Sequence, residues 1–97
     1  MSYKIDVFSA AWCPNCNVLK DSLDKAGISY TVIDCDTDEG MSKASALGIR
    51  ALPVTVISHE GSVVRTIVGL QPIATYVPYM HAPVINEVIG EEIALNG

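Results

Sequence analysis

Apolar and polar positions alternate over residues 3–9, so Ile5 and Val7 fall on one face of a predicted strand while Lys4, Asp6 and Phe8 fall on the other. The period then changes. Over residues 15–26 the apolar positions Val18, Leu19, Leu23 and Ala26 recur at helical spacing, with Pro14 suited to the first helical position and Gly27 to the residue that ends the helix. Residues 30–34, Tyr-Thr-Val-Ile-Asp, are β-branched and predict a second strand. A strand, a helix and a strand in this order normally make two parallel strands with a right-handed crossover.

Asp36 is placed to cap the next helix with Glu39 as its capping-box partner, and residues 41–47 form a short helical stretch closed by Gly48. After a loop over residues 49–53, two further strands are expected at 54–58 and 63–68. His59-Glu60-Gly61-Ser62 between them reads as a hairpin turn. Beyond Gly69 the chain is expected to be helical again, but Pro72, Pro78 and Pro83 interrupt it, which leaves residues 83–94 as the better helix candidate.

Composition narrows the class. A chain of 97 residues predicts one domain, and 49% hydrophobic with 18% charged residues predicts a compact one. The formal charge of −5 argues against nucleic-acid binding, which normally needs a basic face, and is read as solubility. Three cysteines do not suggest a secreted disulfide framework, and no apolar run approaches a signal-peptide core or a membrane span. The expectation is a cytoplasmic monomer in a reducing compartment, bound to neither nucleic acid nor membrane.

The candidate chemistry lies in Trp12-Cys13-Pro14-Asn15-Cys16, where the first strand hands over to the first helix. Unpaired backbone N–H groups and the positive end of the helix dipole favour an anion there, so the thiolate of Cys13 is expected to be favoured. Cys16 lies on the same helix face, within reach of a disulfide, and can attack a mixed disulfide formed at Cys13. A zinc site needs about four ligands, and beyond the pair only Cys35, His59 and His81 remain, none of them as a second pair. A purely structural disulfide would close a very short loop and restrict the unfolded chain little. Redox exchange is the stronger reading, with no metal and no cofactor beyond the two sulfurs. Cys35 is expected to be a buried or half-buried thiol without a role, His59 an exposed turn residue, and His81 a packed or surface histidine.

The chain resembles the thioredoxin superfamily, and most closely a glutaredoxin-like redoxin. The resemblance rests on the Trp12 to Cys16 motif after the first strand, on Ala26-Gly27-Ile28-Ser29-Tyr30, on Gly48-Ile49-Arg50-Ala51-Leu52-Pro53 and on Val68-Gly69. It implies an α/β thioredoxin fold, a mixed four-stranded β-sheet flanked by helices, with Pro53 as a cis-proline facing the dithiol. It also implies that the backbone of Leu52 pairs with an extended substrate segment. Cys13 and Cys16 are then the catalytic pair, while Trp12, Pro14, Leu52, Pro53 and Gly69 face the substrate. Trp12 brings a flat ring that can cover the substrate sulfur while its N–H finds a partner.

Departures from the pattern point to the branch. Glutathione-using relatives usually have a basic residue before the first cysteine, an aromatic between the two and an acid after the last strand; here Ala10-Ala11, Asn15 and Val68-Gly69-Leu70-Gln71-Pro72 stand at those places. Arg50 alone offers a charge to such a ligand. Thioredoxins carry a buried acid where this chain has Val7, and Asp6, one place earlier, faces the other side of the pleat and reads as a solvated strand end. The resemblance therefore implies a dithiol reductase of protein disulfides, recharged by a flavoprotein thioredoxin reductase in preference to glutathione, with ribonucleotide reductase among the acceptors. The alternatives are a glutathione-dependent glutaredoxin and a non-catalytic binding module on the same fold.

Overall fold

A computed structural model describes residues 3–80. Strand β1 (Lys4–Ser9) is followed by helix α1 (Pro14–Lys25), β2 (Thr31–Asp34), α2 (Asp38–Ala46), β3 (Val54–His59) and β4 (Ser62–Val68). Two short 3₁₀ turns, Ile73–Thr75 and Val77–Tyr79, close the described chain. The four strands form one sheet in the order β2-β1-β3-β4. β1 runs parallel to β2, whereas β3 is antiparallel to both β1 and β4, so the sheet is mixed as expected.

Alternation along β1 decides which side each helix covers. Ile5 and Val7 pack with Leu19 and Leu23 of α1, Ile57, Ile67 and Tyr76 on one face. Phe8 packs with Val54, Val56 and Ala44 of α2 on the other. The strand pattern therefore buries apolar residues on both sides, as a central strand requires. Among the described residues no helix is long and apolar enough to cross a membrane.

Both helices end in the same way. Gly27 and Gly48 have φ of +73° and +72°, and the amides of the residues after them, Ile28 and Ile49, return to the carbonyls of Leu23 and Ala44 at 3.0 and 2.9 Å. These are Schellman motifs, for which glycine avoids a Cβ penalty. They fix where the chain leaves each helix, and at Ile49 that exit leads directly to Leu52-Pro53, whose peptide bond is cis.

Four local expectations are corrected. Asp36 does not cap α2: Thr37 does, its hydroxyl accepting from the Gly40 amide at 3.0 Å and donating to the Asp34 carbonyl at 2.8 Å. Glu39 consequently pairs with Lys43, one turn along the helix at 3.6 Å. The hairpin is tighter than the four-residue reading, because β3 extends to His59 and β4 starts at Ser62, leaving Glu60 and Gly61 with φ of +53° and +83°. Positive φ at both central residues is the two-residue turn whose twist matches that of the strands. His59 is thus not an exposed turn residue but ends β3 with its ring against Tyr3, centroids 5.3 Å apart.

The fourth correction concerns the C-terminal part. Residues 73–79 make two 3₁₀ turns rather than an α-helix, because Pro72 and Pro78 lack the N–H that a continuous helix would use. The helix expected at 83–94, Pro83 and His81 lie outside the described residues.

Candidate functional site

β1 ends at Ser9, and the amide of Cys13 bonds back to the carbonyl of Ala10 at 3.1 Å, which turns the chain into α1. Cys13 is the N-cap and Pro14 the first helical residue. The Cys13 sulfur accepts a hydrogen bond from the Cys16 amide at 3.2 Å, so one unpaired N–H of the helix start already points at it. Both cysteines are free thiols. They form a small cluster with Ala10, against which Leu52 packs. Cys13 keeps 5% of its surface exposed and Cys16 none, so the first sulfur sits at the rim and the second behind it.

Burial pushes the Cys16 thiol up to about 11, helped by its hydrogen bond with Cys13, while the Ala10 backbone and the charge of Lys20 act in the opposite direction. Cys16 is accordingly a protonated thiol at neutral pH. Cys35 is also pushed up, by burial first and by the charges of Asp34 and Asp36 next. Its sulfur is half-buried and lies 3.8 Å from the Ile33 carbonyl.

Trp12 stands out from the surface with 70% of its area exposed, yet its ring is held. The indole Nε1–H donates to Asp36 Oδ1 at 3.0 Å, and the Ala11 amide donates to Asp36 Oδ2 at 3.3 Å. One carboxylate therefore pins both the ring and the loop that carries Cys13. Beside them lies an open groove of about 500 Å³ between Trp12 and Leu52, with Met41 and Ile49 as apolar wall and Arg50 at the edge. After Leu52 the chain is held by the Gly69 amide, which donates to the Pro53 carbonyl at 2.8 Å.

A Glutaredoxin family model matches residues 5–61. Thioredoxin 1 of Synechococcus elongatus is 36% identical over 72 residues, which cover 70% of this chain and 67% of that one. The thioredoxin of Listeria monocytogenes is 30% identical over 69 residues, covering 67% of each. The chain belongs to the thioredoxin superfamily. Among solved structures, a mutant thioredoxin from Halobacterium salinarum superposes with a TM-score of 0.70 at 27% identity, covering 84% of this chain and 77% of that one. Mitochondrial thioredoxin 3 of Saccharomyces cerevisiae, at 23% identity and a TM-score of 0.67 over 80% of this chain and 76% of its own, shares the fold. As a redoxin of this superfamily the chain is a thiol–disulfide oxidoreductase, with disulfides as its substrates and a reductase or glutathione as its general class of electron source.

The structure of this redoxin brings Cys13, Cys16 and Leu52 into contact, lines one groove with Trp12 and Leu52, and ties Gly69 to Pro53. Pro14 is exposed beside the dithiol at the start of α1. Val7 is fully buried and pairs with Val32 and Thr55, none of them acidic. Asp6 does face the other side, but its side chain is only 18% exposed, with Oδ1 buried and unbonded and Lys4 3.8 Å away, so it is more covered than a solvated strand end.

Asp36 is the residue beside Trp12 that the sequence pattern placed elsewhere, at the cap of α2. The parallel register pairs Ser9 with Asp34, so the residues just past each strand end also run side by side and Asp36 arrives next to Ala11 and Trp12. Nothing local in the sequence announces that register. Replacing Asp36 by alanine should remove two hydrogen bonds of about 0.5–1.5 kcal/mol each. The expected result is a melting temperature lower by a few degrees and a lower steady-state fluorescence anisotropy of Trp12, the only tryptophan.

Proposed function

We propose that this redoxin reduces protein disulfides through Cys13 and Cys16 and is recharged by a flavoprotein of the thioredoxin-reductase type. The observation that carries the reading is the pair itself: a rim sulfur that accepts a helix-start amide, with a buried protonated thiol one turn behind it, flanked by Trp12 and Leu52, which line a groove. Cys13 Sγ attacks one sulfur of the substrate disulfide, and the other substrate sulfur leaves as a thiolate that takes up a proton. Cys16 then loses its proton and attacks Cys13 Sγ, which expels the second substrate thiolate and leaves a Cys13–Cys16 disulfide. Two electrons and two protons have passed to the substrate. Two electrons from the reductase and two protons restore the dithiol.

Support for this donor over glutathione comes from what the site offers a tripeptide. Such a ligand carries two carboxylates and an amine. Arg50 is a cation at the groove, while the carboxylate of Asp36 is already held by Trp12 and Ala11. The Glutaredoxin match favours a second reading, a glutathione-dependent enzyme at the same dithiol. Turnover of an insulin-type substrate with NADPH and thioredoxin reductase, set beside glutathione with its own reductase, separates the two. Robust cycling in the first system and little in the second is expected; the reverse would replace the donor proposed here. Ribonucleotide reductase, whose disulfide must be reduced in each cycle, belongs among the protein acceptors to assay, and a reducing cytoplasm is the proposed setting.

A further inference from the structure

Tyr76 is the largest fully buried side chain of the described residues, and it comes from the C-terminal segment, to which the redox chemistry has assigned no task. Its ring fills the α1 face of the sheet together with Val7, Ile57 and Ile67. A phenol in an apolar core needs a partner for its hydroxyl. That hydroxyl donates to the Gly69 carbonyl at 3.5 Å, with the backbone amide of Gln71 facing it. Burial pushes the phenol up, so it stays a donor across the neutral range.

Gly69 has a second bond, and this one reaches the site. Its amide donates to the Pro53 carbonyl at 2.8 Å, and the Gln71 side-chain amide donates to Val68 O at 3.0 Å in the same corner. Leu52, the residue before Pro53, packs on the cluster of Ala10, Cys13 and Cys16. A short ladder thus runs from the buried phenol, through both backbone groups of Gly69, to the wall beside the dithiol.

We propose that Tyr76 is a positioning residue for the substrate-facing wall: its hydroxyl holds the carbonyl of Gly69, whose amide in turn holds the Pro53 carbonyl, next to the Leu52 backbone with which an extended substrate segment pairs. This rests on the functional reading above, in which the Leu52 backbone receives a protein substrate. The ring is the core's requirement; the hydroxyl is the site's. A core filler could be phenylalanine, and the polar atom would then be an unneeded desolvation cost.

Tyr76→Phe keeps the ring and deletes the oxygen, and circular dichroism with a melting curve reports that it folds. With an insulin-type protein disulfide, KM is expected to rise about three- to tenfold while kcat stays within about twofold, the loss of one hydrogen bond that orients a binding surface. With a small aromatic disulfide, which needs no such wall, kcat and KM should not move. A variant equal to wild type on both substrates, or one impaired on both by the same factor, overturns the proposal, since a purely structural role changes the amount of active protein and not the KM for one substrate class. If wild type reduces the small disulfide but no protein disulfide, the functional reading fails and the inference with it. Normal wild-type activity with an unresponsive Tyr76→Phe sinks the inference alone.

Discussion

Cys13→Ser is expected to lower protein-disulfide reduction by about a thousandfold or more, because a serine hydroxyl is not ionised at neutral pH and forms no mixed disulfide. Cys16→Ser should behave differently. Its rim sulfur can still attack, but nothing one turn behind it can release the captured substrate. The expected product is a one-to-one mixed disulfide, visible by mass spectrometry and on non-reducing gels and reversed by dithiothreitol. Each variant should fold, since serine is close to cysteine in size and the Cys16 amide still finds a side-chain acceptor at position 13. Sustained turnover of Cys16→Ser with glutathione would contradict the dithiol route and favour the glutathione-dependent reading. A Cys13→Ser protein with full reductase activity would remove the chemistry from this pair altogether.

The second large effect is on pH. Cys16 must ionise before it can resolve the mixed disulfide, and burial, the first cause of its rise to about 11, persists when Cys13 is engaged. The hydrogen bond and charge of Cys13 no longer oppose ionisation in that intermediate, so the effective value there is lower than in the free dithiol. The direction stays upward. The resolution rate, followed by stopped flow on a preformed mixed disulfide, should climb about tenfold per pH unit from pH 7 to 9. A flat profile over that range would mean that the buried sulfur is already ionised. The same group gives a stability effect whose sign follows from linkage. Its folded value lies above the ordinary thiol value of 9.0, so the unfolded chain loses this proton first. The contribution is complete below about pH 9 and lost as pH rises toward 11. Cys16→Ser should therefore lose less melting temperature than wild type between pH 9 and 11.

How much of this was legible in the chain can be judged residue by residue. The turn into α1 was readable because its causes are local: Pro14 at the first helical position, a cysteine at the cap, and an apolar row at helical spacing behind them. The two strands on either side of Glu60-Gly61 were readable for the same reason, although the turn between them is shorter than its four polar residues suggested. Asp36 was misplaced because an acid three residues before Glu39 is a good local cap, and Thr37 won by also bonding the Asp34 carbonyl. Tyr76 could not be singled out at all. One aromatic among prolines has no periodicity to place it, and only the closed sheet shows that it is buried under Val7 and Ile57.

By itself the sequence determined where the Cys13 and Cys16 thiols stand, their seat at a helix start and the strand-helix-strand order, all of which depend on residues within a turn or two of one another. The tertiary structure alone decided that Asp36 holds Trp12 across 24 positions, that Tyr76 reaches Gly69, and that Cys16 is sealed while Cys13 stays at the rim. The physical reason is register. Once both faces of β1 are packed, its parallel pairing with β2 and antiparallel pairing with β3 are set, and a shift by one residue would move every side chain of β1 to the opposite face and break both packings. Contacts between distant segments follow from that choice, which is made by the packed core as a whole and by no single stretch of chain.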